Sequence, residues 1–294
     1  ALPIYYSDLV VQLILNVPSS NAPYLIDNLS FSGAPPPTDC STGSPFTLVV
    51  TGEETLDPEF VENMRCTFFT VYPDLVARFN PSAPTTVGMH FVEEDTYPAW
   101  AIGSDTYYSI PYMVSSPLGT DVVTHEIMHV IQGGYVSDVP GWYIEGSADY
   151  VRDVYGIRNV EAGWSIPSGY GPGQHYRQGY GETAAFFQWI DATYRRNQAP
   201  VVDAVDDLAR SGSYSDGTWQ SLTGYDIQTL WSQYSGGQAP LPATSGVRFF
   251  QHSNYEGEAS YLGVGSYDVA DLIARGVLND WVASIQIPTG FTVT

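Results

Sequence analysis

Two histidines and a glutamate in Val122–Gln132 (VVTHEIMHVIQ) form an H-E-x-x-H pattern: His125, Glu126 and His129. Residues four apart share a face of an α-helix, so His125 and His129 can direct two imidazoles at one metal ion. Glu126 adjoins the first of them and can reach a water at that metal, where hydrolysis needs a general base. A catalytic zinc takes three protein ligands and keeps an open position, so a third donor is required. The next apolar–polar segment, Pro140–Gly156 (PGWYIEGSADYVRDVYG), carries Glu145 and Asp149, again four apart. Glu145 is taken as the third ligand. Asp149 is taken as the acceptor for the outer N–H of a ligating histidine, fixing its tautomer. The competing reading is two ordinary helix histidines and two exposed carboxylates; the neighbours Trp142, Tyr143, Ile144, Ala148 and Tyr150 argue against exposure.

These residues need elements to hold them. Ser116–Pro117 and Thr120–Asp121 are helix openers and Gly133–Gly134 a helix stop, which brackets a helix around the motif. Asp138 or Pro140 opens the following helix and Gly156 ends it. Upstream, Phe46–Thr51 and Thr86–Glu93 read as strands, with Ala99–Met113 an extended pair or edge strand. His90 lies in the second strand and is expected to pack in a sheet rather than bind metal. Asp57–Phe79 is helical in pattern, with Asp57 as N-cap and Pro58 in the first turn, while Pro73 is expected to break it or start a second helix. Downstream, 157–178 is Gly-, Pro- and Tyr-rich, as cleft loops are. Gly181–Asn197 is a helix preceded by His175, Tyr176 and Tyr180. Amide hydrolysis builds an oxyanion; Tyr180 is the first candidate to stabilise it, followed by Tyr176 and His175. The segment 199–237 looks helical and carries no assignable chemistry.

The blocks HEIMHVIQ, GWYIEGSADYVR and YRQGYGETAAFFQWID, in that order, resemble those of the basic-secretory-protein-like metallopeptidases. The resemblance spans roughly residues 46–234. It implies a zincin fold of the α+β class, with a mixed sheet over the metal helix, together with zinc and secretion. It carries His125 and His129 over as ligands and Glu126 as base; Glu145 as third ligand agrees with the wider Glu-zincin pattern. The chain departs from that family's name in being acidic. Residues 246–294 resemble one βγ-crystallin Greek-key motif, through Phe250, Tyr255 and Gly257. Calcium is a second metal that this resemblance implies, through Asn279, Asp280 and Ser284, although Ala283 stands where an oxygen ligand belongs. In the first 45 residues, YLIDNLSFSG resembles the closing strand of carbohydrate-binding β-sandwich modules. Three parts follow: a β-rich segment over 1–45, a peptidase domain over 46–240 and the crystallin-like motif over 241–294.

Composition narrows the partners. The chain has 294 residues, 32 acidic against 10 basic for a net charge of −22, and all ten cations are arginines. Bulk charge of that sign disfavours nucleic acid and anionic membranes. No apolar run reaches transmembrane length. The two cysteines, Cys40 and Cys66, can form one disulfide, the usual state outside the cell, with two free thiols as the alternative. The expectation is a secreted, monomeric zinc endopeptidase acting on protein or peptide substrates. A secreted carbohydrate- or surface-binding protein with an inactive zincin core is the alternative.

Overall fold

Asp57 and Pro58 open the first helix as their chemistry demands. The Asp57 carboxylate accepts from the N–H groups of Glu59 and Phe60, and Pro58 occupies a position whose N–H has no helical partner. The computed structural model describes residues 40–94, 96–196, 198–239 and 246–294; the β-rich reading of residues 1–39 lies outside them. Strand β1 (Thr47–Thr51) leads to helix α1 (Pro58–Arg78) and then to β2 (Thr86–Val92). Pro73 does not break α1. Its ring removes one backbone hydrogen bond, at a cost of about 3 kcal/mol. Phe68, Val71, Tyr72 and Leu75 are buried on both sides of it, so packing of one continuous apolar face outweighs that loss.

Ala99–Met113 divides into β3 (Ala99–Ile102), β4 (Asp105–Ser109) and the start of the short helix α2 (Ile110–Ser115). The paired strands match the expected extended pair. The last residues turn helical because the Ser109 hydroxyl accepts from Tyr112 N–H and Pro111 sits in the first turn. The sheet runs β1-β2-β4-β3, with β1, β2 and β4 parallel and β3 antiparallel at the edge. His90 stays in the sheet, between Thr51 Oγ1 at 2.8 Å and Asp105 Oδ1 at 2.9 Å. Helix α3 (Val122–Gln132) packs against α1, β3 and β4, and α4 (Gly141–Tyr155) packs against α3. A 3-10 turn over Tyr176–Gln178 precedes α5 (Tyr180–Tyr194), which lies along α4. Helices α6 (Val201–Arg210), α7 (Thr218–Thr223) and α8 (Ile227–Tyr234) complete the layer. Gly146 permits the α4–α5 approach: a Cβ there would fall 2.3 Å from Thr183 Cγ2. Cys40 and Cys66 form a disulfide that ties the described N-terminal end to α1. No described helix is long and apolar enough to cross a membrane.

Beyond this α+β unit, β5 (Val247–Phe250), β6 (Ala259–Leu262) and β7 (Ser284–Gln286) form an antiparallel sheet in the order β6-β5-β7, with α9 (Val269–Ile273) between the last two. Phe250 and Tyr255 meet at 5.4 Å between ring centroids. Ser284 Oγ donates to His252 O and accepts from Tyr255 N–H, while Asn279 and Asp280 hydrogen-bond to each other. Of the oxygens expected for calcium, Ser284 Oγ and Asp280 Oδ2 are thus hydrogen-bonded within the fold. This sheet docks through Arg177, which donates to Ser260 Oγ at 2.7 Å and to Gly276 O at 3.3 Å. Its Nε faces Glu258 Oε2 at 3.4 Å without hydrogen-bond geometry, and its guanidinium lies 5.2 Å from the Trp281 ring. Arg177→Met removes these charge-assisted hydrogen bonds, leaving Ser260 Oγ and Gly276 O only each other, which costs about 1–3 kcal/mol. Thermal unfolding followed by circular dichroism should show a Tm lower by about 3–10 °C; an unchanged Tm would exclude this docking contact.

Candidate metal centre

The H-E-x-x-H segment folds as one helix because its apolar residues Val123, Ile127, Met128, Val130 and Ile131 are all buried against neighbouring elements. His125 and His129 then project together, with ring centroids 4.8 Å apart. Each is fixed from behind. His125 Nδ1 donates to Asp149 Oδ1 at 2.7 Å, and His129 Nδ1 donates to Gln132 Oε1 at 2.8 Å. The Gln132 amide cannot be reversed, since its Nε2 donates to Ile144 O at 3.0 Å and that carbonyl only accepts. Both histidines therefore turn to the inner side an Nε2 whose lone pair is free for a metal once it loses its proton.

Those lone pairs converge on Glu145. The two Nε2 atoms are 3.1 Å apart, and Glu145 Oε2 lies 3.3 Å from the first and 3.5 Å from the second. The residues are grouped closely enough to hold one metal ion. Ligand atoms about 2.0–2.1 Å from a tetrahedral zinc stand about 3.3 Å from one another, so this triangle fits. The electrostatics agree. Burial opposes charge on His125, yet Asp149 and Glu145 overcome it and raise its pKa to about 10. Burial likewise opposes charge on Glu145, but the two imidazoles hold its carboxyl far below the usual range. Three such donors in one place could hold a cation.

Glu126 sits on the same helix at the cleft wall, 4% exposed. Its Oε2 is buried and has no hydrogen-bond partner among the described residues. Burial raises its carboxyl above the ordinary value, against the pull of His125 and His129. An unpaired carboxylate oxygen of raised basicity beside a metal-binding triad is suited to taking a proton.

Tyr180 also reaches the cleft, with its ring nearly parallel to that of His125 at 6.0 Å and an interplanar angle of 11°. Its φ of +49° is left-handed, unusual for a bulky side chain, and it follows Gly179 at φ +74°. A Cβ at Gly179 would approach Glu145 Cβ to 3.0 Å, so only glycine lets the chain pass the third donor and turn. Burial, with Glu145, Asp149 and Glu126 adding to it, lifts the Tyr180 phenol to about 12, so it stays a donor at neutral pH.

Tyr176 and His175 face the other way and do not line the cleft. Tyr176 is 1% exposed, accepts from Gln228 Nε2 at 2.6 Å and packs on Trp142 and Trp231. Burial, helped by Arg177, holds the His175 pKa well below its ordinary value, so it is neutral, with Nδ1 accepting from Arg177 N–H. The 3-10 turn sends both side chains into the core, which removes them as oxyanion donors.

Gln132 lies inside the motif segment, yet its function depends on a carbonyl of another helix, which no spacing shows. Trp100 on β3 and Arg152 on α4 also line the cleft, which has a volume of about 800 Å³; the only sequence hint of Arg152 is its place seven residues, two turns, beyond Glu145.

Residues 117–234 match a family described as peptidase of plants and bacteria, and the match supports a peptidase-family assignment. It covers α3 to α8, hence every donor described above, and stops short of the four-stranded sheet. No curated protein and no solved structure matches the chain. Because Asp149 accepts from His125 Nδ1 and so leaves Nε2 for a metal, Asp149→Asn should weaken zinc affinity about 10–100-fold in a competition titration with a chromophoric chelator; unchanged affinity would contradict that role.

Proposed function

We propose that the chain is a secreted zinc endopeptidase. The convergence of His125 Nε2, His129 Nε2 and Glu145 Oε2, with both outer Nδ1–H groups tied back, carries this reading. A donor set of two nitrogens and one carboxylate that leaves a coordination position open is that of catalytic zinc sites. Zinc held there supplies Lewis acidity toward a substrate carbonyl and makes a nearby water more acidic. Glu126 accepts the proton from the attacking water and returns it to the leaving amine. The Tyr180 phenol donates to the carbonyl oxygen as negative charge develops on it.

The edge strand β3 supports a peptide as substrate. Among the described residues it pairs with β4 on one side only, and Ala99, Trp100 and Ala101 lie on the cleft wall. An extended peptide can add to that free edge through backbone hydrogen bonds. Trp100 stacks on Tyr107 at 5.2 Å, which fixes an aromatic wall beside it. The Cys40–Cys66 disulfide supports an oxidising destination outside the cell. The C-terminal sheet, with Phe250 against Tyr255 and a positive-φ Gly257, is read as a single Greek-key motif docked on this domain.

Glu126→Gln should still bind one zinc per chain and lose casein cleavage by about 10²–10⁴-fold. Retention of wild-type proteolysis by that zinc-loaded variant would refute the mechanism. Tyr180→Phe should lower kcat by about 10²-fold with KM little changed. A rise in KM at constant kcat would make Tyr180 a binding group instead.

A further inference from the structure

The charged groups on the cleft wall besides the two histidines are Glu126, Glu145, Asp149 and one arginine, Arg152. Arg152 is held as a tool for recognition would be. Its guanidinium carbon lies 4.1 Å from the centre of the Trp164 ring, which fixes the plane of the group. Its Nε donates to Asn159 Oδ1 at 3.3 Å. Asn159 cannot turn its amide over, because its Nδ2 donates to Arg152 O at 2.7 Å. The two terminal nitrogens make no hydrogen bond and no ion pair among the described residues, and neither is sealed from solvent. Burial lowers the Arg152 pKa despite the fields of Asp149 and Asp121, as expected for a cation partly stripped of water and lacking a direct counter-charge. A planar fork with two unpaired terminal donors on a cleft-lining residue matches a carboxylate.

We infer that Arg152 selects peptides carrying a carboxylate within about three residues of the bond that is cut, the reach set by its two helical turns, about 10 Å, from Glu145. This inference rests on the peptidase reading. The carboxylate has two sources: an Asp or Glu side chain of the substrate, or its C-terminus. Besides Arg152 and the two histidines, the charged groups of the cleft wall are the anions Glu126, Glu145 and Asp149, so Arg152 is the cation there that lies outside the candidate metal group.

The test uses the full chain loaded with zinc. Binding is measured by fluorescence anisotropy on Glu126→Gln, and cleavage by mass spectrometry on the wild type. Peptides are matched in pairs, Glu against Gln at each position, and free acid against amide at the C-terminus. One charge-assisted pair predicts that one position binds its acid form about tenfold or more tightly. The preference falls toward unity when Arg152→Met is added, and Arg152→Lys, which keeps charge but loses the fork, retains part of it. If the C-terminal pair carries the effect, the carboxylate is the chain terminus; if an internal pair carries it, a side chain. Equal binding of every pair overturns the inference, as does a preference that survives Arg152→Met in a variant with wild-type circular dichroism and zinc content. Equal cleavage of acid and neutral peptides likewise counts against Arg152 and leaves the peptidase reading standing. A binding preference without cleavage of any peptide upholds the carboxylate site and removes the peptidase reading.

Discussion

Three donor atoms, from His125, His129 and Glu145, are held 3.1–3.5 Å apart, and as bare acceptors they repel one another. Such a cluster is repulsive unless a cation occupies it, and much of the surrounding fold resists that repulsion. The α3–α4 seam bears the load. Asp149 and Gln132 pull the histidines back, and Gln132 also grips Ile144 O, the carbonyl next to Glu145. Asp121, fully buried before α3, accepts from the N–H groups of Ile157 and Arg158 beyond the end of α4. At the other end, Arg210 and Asn80 bond the α3 carbonyl oxygens Ile131 O and Gly133 O. Both ends of α3 are therefore fixed from distant parts of the chain.

The cleft is built by contrast. Its back carries the polar groups of α3 and α4, and Tyr97, Trp100, Tyr112, Tyr135, Trp164 and Tyr180 line its walls. A protein of net charge −22 can hold a metal cation this way, but it must reserve its few arginines. Arg210 caps the metal helix, Arg152 faces the cleft, and Arg177 joins the C-terminal sheet to the turn before Tyr180. That last contact also links the small sheet to the chemistry. Gly179, where any side chain would crowd Glu145, comes two residues after Arg177, and Trp142, one turn before Glu145 on α4, donates to Glu258 of the sheet.

Reading residues in order reaches the centre because its signals are local. His125, Glu126 and His129 fall on one helical face, Asp57–Pro58 and Gly156 mark helix ends by their own backbone chemistry, and Glu145 and Asp149 share a face of the next helix. Composition likewise admits the Cys40–Cys66 disulfide, and strand patterns locate β1 and β2. Other features have no local signal. Pro73 stays helical because buried neighbours on both sides hold it there. Tyr180 and Tyr176 are the same residue type four positions apart, yet a positive-φ glycine between them sends one to the cleft and the other to the core. Gln132 and Arg152 acquire their roles from Ile144 O and from Trp164, partners that only folding brings near. The sequence by itself determined which groups are available and the period at which they recur. Tertiary structure decided which way each one points, because direction depends on contacts between residues far apart in the chain.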